Sequence, residues 1–266
     1  MAANDGLSAP EAFVLMSLPK FDVRQTLKLG FMGLLAQGLL RIEQEERQGL
    51  IRTRHIPHLH VAAPATEGGG RSPIAASLIK VVQAAQPRGL MRDVVKQSVR
   101  EYGHVLAGFA MKLVLPSLVR RGLAGEVKTR WLGVWPWTRY FRTPAGDSEK
   151  IRLEGLMRDA VAIPDFLDRD PVQAAALIAA LGGAIILVES LRPHYQAIAA
   201  AMRPYTGDTV LSDFGGVGDG IDFSGIGDLD FSAFDSGAFD SFDAGFSDAG
   251  GDGGDGGGGD GGSSGC

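Results

Sequence analysis

Apolar residues recur every three to four positions along most of the first 200 or so residues, which is the spacing of amphipathic helices. In the second such segment, for example, Leu27, Phe31 and Leu34 share one face. Glycine, proline and short polar runs separate the segments. The pattern predicts helices over residues 12–18, 23–37, 74–85, 90–102, 104–119, 148–161, 172–191 and 195–202.

Two of these helices end at a glycine, Gly38 and Gly122, that a strand-like run follows. The predicted strands are 39–43, 50–53 and a pair within 126–140, which form two hairpins. The repetition suggests helix–helix–hairpin units over 12–54 and 74–142, similar to winged helices. We therefore expect a mainly α fold with short β-hairpins and winged-helix-like duplicated units.

The segment 172–191 is apolar on every side of the predicted helix. Its most apolar part, 172–188, has 17 residues, whereas a membrane-spanning helix needs roughly 20. We interpret it as a buried apolar helix around which the helical domain packs. The alternative is a membrane-spanning helix followed by a cytoplasmic tail.

Charge divides the chain into two parts. Residues 1–206 hold all 26 Lys and Arg and 18 of the 31 Asp and Glu, a formal charge of +8. Residues 207–266 hold 13 Asp, 20 Gly and 7 Phe but no Lys or Arg. Such a segment cannot bury enough apolar surface to offset the entropy of ordering it. We predict a folded helical domain over 1–206 and a disordered acidic tail over 207–266, which could bind a protein partner or the basic domain.

The cysteine content and the first residues of the chain indicate the cellular compartment that we expect. Cys266 is the only cysteine, so no disulfide can form within the chain, as is usual in a reducing compartment. The first residues lack the basic and apolar regions of a signal peptide. Both observations favour a cytoplasmic protein.

Candidate catalytic and metal-binding groups are few. No Ser, Cys or Lys stands in a nucleophile motif. We expect no acidic or cysteine partner near His55, His58 and His60, so we interpret them as loop or strand-edge residues. Glycines 68–70 lack the spacing of a phosphate loop and are interpreted as a linker. We expect a protein that is not an enzyme and uses no cofactor or metal.

Basic residues repeat at helical spacing on two predicted helices, which places each group on one helix face. The first group is Lys20, Arg24 and Lys28. The second group is Arg88, Arg92, Lys96 and Arg100, and no acidic residue is expected to compensate it on that face. Either face could meet lipid headgroups or nucleic acid, although the solvated face of any amphipathic helix has the same pattern.

Three tryptophans, Trp131, Trp135 and Trp137, cluster on the second predicted hairpin. Trp131 and Trp135 share the alternation of a strand, so they share a face in a regular pairing. We interpret the cluster as packing in the core or between subunits, with an anchor at the membrane interface as the alternative.

Several segments together resemble the Golgi phosphoprotein 3 family, in its bacterial form. They are LLAQGLLRIE (34–43), LVRRGLAGEV (118–127), WLGVWPWTRYFRTP (131–144), EKIRLEGLMRDAV (149–161) and DPVQAAALIAALGGA (170–184). The resemblance implies a helical fold around a buried apolar helix, peripheral binding to phosphatidylinositol 4-phosphate, and oligomerisation through a hairpin. The headgroup-binding positions of the eukaryotic members fall on Leu18, Leu27, Gly108 and Met111, and Lys20, Lys28 and Lys112 lie one or two residues away.

We therefore predict a non-enzymatic, cytoplasmic protein that binds anionic phospholipid headgroups peripherally. The candidate headgroup-binding residues are Lys20, Arg24, Lys28, Lys112, Arg92, Lys96 and Arg100, and the candidate hairpin for a homo-oligomer carries Trp131, Trp135 and Trp137. The alternative is a winged-helix-like module that binds nucleic acid or protein through helices 23–37 or 104–121. These helices lack a cluster of side chains suited to base edges, so nucleic acid is the less favoured partner.

Overall fold

The structure is a computed structural model that describes residues 6–48, 53–62, 72–86, 89–131 and 135–202. Its helices are α1 (Ala9–Ser17), α2 (Val23–Ala36), α3 (Pro73–Ala84), α4 (Met91–Tyr102), α5 (Ala107–Phe109), α6 (Leu115–Arg120), α7 (Pro144–Ala160), α8 (Ile163–Arg169), α9 (Pro171–Leu181) and α10 (Tyr195–Met202). A π-helical turn (Ala110–Val114) joins α5 to α6, and two 3-10 turns (Gly182–Leu187 and Glu189–His194) join α9 to α10. The strands are β1 (Leu40–Gln48), β2 (Thr53–Val61), β3 (Ala124–Trp131) and β4 (Trp135–Arg142).

The strands form two separate antiparallel hairpins, β1–β2 and β3–β4. The prediction of a mainly α fold with short β-hairpins is therefore confirmed, while the winged-helix-like duplication stays a prediction. The predicted acidic tail, 207–266, lies outside the described residues.

Both hairpins begin at the same kind of helix end. Gly38 follows α2 with φ 62° and Gly122 follows α6 with φ 72°, in the left-handed region. The Leu39 N–H donates to the Leu34 carbonyl across 2.9 Å, and the equivalent bond after α6 is 3.0 Å. A left-handed glycine with this bond is a Schellman C-cap, which directs the chain from the helix into the strand. The glycine ends predicted from the sequence are thus confirmed at both helices.

The first hairpin is longer than predicted. β1 runs to Gln48, and β2 begins at Thr53 and extends to Val61, whereas residues 50–52 of the predicted second strand lie outside the described residues. The register pairs Arg41 with His60 and Glu43 with His58. The histidine segment therefore lies within β2, because strand pairing across the turn continues further than the apolar alternation indicated.

α2 is enclosed by the rest of the fold. Every residue from 26 to 32 is buried, and the helix packs against α1, α3, β1 and the 3-10 turn that follows α9. Gly30 allows this close packing, because a Cβ there would lie 2.8 Å from Leu78 Cδ1 and 3.0 Å from Phe109 Cζ. Leu27, Phe31 and Leu34, predicted on one apolar face, are buried, and the burial extends around the rest of this part of the helix. Lys28, only 6% exposed, is not part of an exposed basic stripe.

The apolar segment 172–191 is not one continuous helix. α9 ends at Leu181, and Gly182 has φ 50° and ψ −132°, which an α-helix cannot continue. After this break the buried residues 184–186 lie in the 3-10 turn, whereas Gln173 and Ala180 on α9 are exposed. The predicted uniform buried helix is thus a helix with one buried face, followed by a buried turn.

No single helix in the described ranges is long and apolar enough to cross a membrane. Two bent helix pairs have the length and apolar composition of a membrane-spanning segment when each pair is taken together. They are Met91–Tyr102 with Ala107–Arg120 and Pro171–Leu187 with Glu189–Ile198.

A buried carboxylate fastens the start of α1. Glu11, 3% exposed, accepts hydrogen bonds from the Ser8 backbone N–H at 2.9 Å and from Ser117 Oγ at 2.6 Å. The Arg121 guanidinium also approaches it at 3.6 Å. The first contact completes a capping box, and the other two tie the N-terminus of α1 to the α6 region.

A half-buried arginine fastens the end of α1. Arg142 at the end of β4 donates from Nη1 to the carbonyls of Leu15, Met16 and Leu18, the last at 2.6 Å. Its Nε donates to Asp147 Oδ1 at 2.8 Å. The last carbonyls of a helix have no intrahelical donor, so this guanidinium satisfies groups that would otherwise be left unpaired. The start of α1 is therefore held by the α6 region, and its end is held by the last residue of β4.

Replacing Glu11 with glutamine should lower the free energy of unfolding by about 1–3 kcal/mol, because hydrogen bonds to a charged acceptor are lost or weakened. Urea denaturation measures the change. The control is Glu154→Gln, which removes an exposed pair with Lys150 on α7 and should cost about 0.3–0.5 kcal/mol. Equal losses in the two variants would contradict the role of Glu11.

Two glycines of α7 should respond in opposite directions to alanine. A Cβ at Gly146 would overlap the backbone oxygen of Leu123, so Gly146→Ala should destabilise the fold by about 1–3 kcal/mol. No heavy atom lies within 4 Å of a Cβ at Gly155, and Gly155→Ala should stabilise the fold by about 0.5–1 kcal/mol through helix propensity. Thermal unfolding of both variants tests the pair.

Candidate anion-binding groove

α3 and α4 form an antiparallel helix pair. At one end, the Ser77 hydroxyl and the Tyr102 hydroxyl share a hydrogen bond of 2.8 Å, and Lys80 pairs with Glu101 at 3.5 Å. The buried tyrosine contact orients the pair, whereas the exposed ion pair contributes little. At the other end, Gly89 with φ 59° turns the chain into α4.

α4 is amphipathic. Its buried residues are Met91, Val94, Val95, Ser98 and Tyr102. Arg92, Lys96 and Arg100 are all exposed, and their spacing of four places them on one face of the helix. The structure therefore brings three predicted candidate residues together, while Arg88 lies outside the described residues.

An open groove of about 270 Å³ lies between the end of α3 and the face of α4. Its lining residues are Ala84, Ala85, Gln86, Asp93, Lys96, Gln97 and Arg100. Among the residues that the structure describes, neither Lys96 nor Arg100 forms an ion pair. Two cations, two amide side chains and an apolar wall of two alanines therefore face one space.

Asp93 corrects the prediction that no acidic residue compensates the basic face. It lines the same groove, one helical turn before Lys96. Its carboxylate lies 3.9 Å from Arg92 Nε, so it is partly neutralised by a cation outside the groove lining. The groove keeps a positive formal charge, with Lys96 and Arg100 as its cations.

The first hairpin supports one edge of the groove. Gln86 Nε2 donates to the Leu59 carbonyl at 3.3 Å and lies 3.4 Å from His60 Nδ1. The Leu59 N–H donates to the Gly89 carbonyl at 2.7 Å. The turn between α3 and α4 is thus attached to β2, which fixes the position of Gln86 at the groove.

The histidines of β2 have acidic neighbours, contrary to the prediction. His58 Nε2 lies 2.9 Å from a Glu45 oxygen, and His60 Nε2 lies 3.7 Å from a Glu43 oxygen. These carboxylates come from β1, so only the strand pairing brings them close. Over the described ranges, no three His, Cys, Asp or Glu residues are grouped so that they could hold a metal ion.

The remaining candidates are not assembled around this groove. Lys20, Arg24 and Lys112 are exposed, but the burial of Lys28 interrupts the first basic group. The side chains of the three tryptophans lie outside the described residues, although the β3–β4 ladder pairs Trp131 with Trp135. That their side chains share a face stays a prediction.

Sequence reasoning missed the two glutamines of the groove. Gln97 directly follows Lys96, so the sequence shows that the two side chains are neighbours. This gives no signal of a binding site, because an amide beside a lysine is common on helices. Gln86 lies in the turn after α3 and carried no signal, because its position depends on β2.

A scan against protein-family models finds no matching model, and a search of curated proteins finds no match. The resemblance to the Golgi phosphoprotein 3 family therefore stays a prediction, and the function has to be inferred from the geometry of the groove.

Burial raises the pKa of Tyr102 to about 12, a Ser77 hydrogen bond opposes the rise, and Glu101 adds to it. Because the folded-state pKa lies above the unfolded value of about 10, the stabilisation is complete below pH ~10 and is lost as the pH rises towards 12. The difference in unfolding free energy between wild type and Tyr102→Phe should fall by about 2–3 kcal/mol over that range. Urea denaturation at several pH values measures it, and a difference independent of pH would contradict the burial of the hydroxyl.

Proposed function

We propose that this protein is a non-enzymatic, cytoplasmic protein of the membrane surface, and that its α3–α4 groove receives the phosphate of an acidic phospholipid. One observation carries the proposal. Lys96 and Arg100 are exposed, stand one helical turn apart, line the same groove, and form no ion pair with any described residue.

The lining chemistry suits a phosphate. A guanidinium can donate two parallel hydrogen bonds to phosphate oxygens, and an ammonium supplies a compact charge. The amide groups of Gln86 and Gln97 can donate to the remaining oxygens. The groove is open to solvent along an exposed helix face, so a headgroup that remains in a bilayer can enter it.

The expected affinity is low and depends on salt. A cation near an anionic membrane surface contributes about 1 kcal/mol, and this contribution falls within a Debye length. Arg92 on the same face adds to the attraction, whereas Asp93 opposes it. Phosphatidylinositol 4-phosphate is the lipid that the family resemblance implies, while the groove supports acidic phospholipids as a class.

The proposal includes two further contacts, one with the membrane surface and one between copies of the chain. Lys20, Arg24 and Lys112 are further exposed basic residues, which we propose as additional contacts with the membrane surface. The β3–β4 hairpin is proposed as a contact between copies of the chain, supported by the exposure of Val127 (46%) and Phe141 (47%). An exposed apolar face of this kind is typical of an interface.

The full-length chain should co-sediment with phosphatidylcholine vesicles that contain phosphatidylserine, and binding should fall as salt rises. In a chain with neutralised tail aspartates, Lys96→Gln/Arg100→Gln should lower the binding constant about 30-fold, because two contributions of about 1 kcal/mol are removed. Lys20→Gln/Arg24→Gln tests the other basic group in the same way.

The matched control is Arg158→Gln/Arg169→Gln, which removes two exposed positive charges from α7 and α8. Its binding should stay close to that of wild type. An equal loss in the control would assign binding to net charge rather than to the groove. The proposal is overturned if neither the wild type nor a chain with neutralised tail aspartates binds the anionic vesicles.

A further inference from the structure

We propose that the acidic C-terminal tail, residues 207–266, docks into the α3–α4 groove of its own chain through its Asp–Phe pairs. The tail would then compete with an acidic phospholipid for Lys96 and Arg100, so this inference rests on the proposed function for its regulatory consequence. The docking itself depends only on the groove and the tail.

Charge complementarity is the first argument. The tail carries 13 Asp and no Lys or Arg, and the groove presents two cations that form no ion pair with a described residue. All basic residues of the chain precede residue 204, so the tail cannot neutralise itself. The attraction between tail and domain acts within one molecule and does not depend on protein concentration.

The pattern of the tail is the second argument. Six of its seven Phe residues are directly bonded in sequence to an Asp. The pairs are Asp213-Phe214, Asp222-Phe223, Asp230-Phe231, Phe234-Asp235, Phe239-Asp240 and Phe242-Asp243. A repeated motif offers several equivalent occupants for one groove, which raises the fraction of time that one of them is bound.

The two sides of the groove match the two halves of such a pair. The carboxylate can bond to Lys96 and Arg100, while the phenyl ring packs on Ala84 and Ala85. The side-chain amides of Gln86 and Gln97 can hydrogen-bond to the backbone peptide group that joins the Asp and the Phe of a pair. A phosphate alone uses only the polar side, so the alanine wall favours an acidic aromatic peptide as a ligand.

The length of the tail permits this contact. The described chain ends at Met202, and 64 residues follow. A flexible Gly-rich chain spans on average about 5–6 Å times the square root of its residue number, so about 20–40 residues reach about 25–35 Å. A domain of about 200 residues has a radius of gyration of about 16 Å. The Asp–Phe pairs can therefore reach the groove from the end of α10.

The unique cysteine allows a direct test on the full chain without lipid. In a Cys266→Ser background, Ser232→Cys places a spin label between two Asp–Phe pairs. We expect paramagnetic broadening of the backbone amide signals of residues 84–86 and 93–100. The amides of α7, which packs against α1 and α9, should keep their intensity.

The groove variant decides whether the contact is specific. Lys96→Gln/Arg100→Gln should remove the broadening, and the matched control Arg158→Gln/Arg169→Gln should retain it. Broadening that is absent, spread evenly over the domain, or unchanged in the groove variant would overturn the docking. The amide spectra also report whether each variant remains folded.

A vesicle experiment separates this inference from the proposed function. Changing the six Phe-adjacent Asp residues to Asn in the full chain should raise the binding constant for phosphatidylserine vesicles about tenfold, the expected effect where the effective concentration of the tail exceeds its dissociation constant by about that factor. Unchanged vesicle binding without broadening leaves lipid binding intact and overturns the docking. Broadening at the groove with no vesicle binding by either chain supports the docking and overturns the lipid function.

Discussion

The buried carboxylate of Glu11 connects the start of α1 to α6, and α1 in turn packs against α2, α7 and the 3-10 turn that follows α9. One oxygen serves the capping box with Ser8, and the other receives Ser117 and lies near Arg121. A carboxylate removed from water without such partners would cost several kcal/mol, so these contacts restrict where α1 can lie. Arg142 restricts its other end in the same way.

The α3–α4 groove depends on this core although it lies at the surface. The apolar side of α4 is buried, so its basic side is turned towards solvent. Tyr102 and Gln86 then fasten the two ends of the helix pair, one within the pair and one to β2. The cations of the groove are positioned by contacts that carry no charge, which leaves Lys96 and Arg100 available to an anion.

The proposed function and the proposed docking assign two kinds of anion to the same cations. One is an acidic phospholipid of a membrane surface, and the other is the set of aspartates in the tail of the same chain. The formal charges of the two parts of the chain, +8 before residue 207 and −13 from there on, are the basis for proposing the tail as a competitor within the same chain. Salt weakens both contacts, but only the membrane contact depends on lipid composition.

The sequence by itself determined the features that depend on neighbouring residues. The Schellman ends at Gly38 and Gly122 and the exposed stripe on α4 follow from local backbone preference and helical periodicity. The burial of Lys28 and the attachment of Gln86 to Leu59 depend on segments distant in sequence. The break at Gly182 also lies against a segment distant in sequence. The adjacent Gly183 packs closely on the start of α1, where an added Cβ would lie 3.2 Å from the Ala9 backbone nitrogen. Only the tertiary structure decided these features, since periodicity records which side of an element is apolar but not which element covers it.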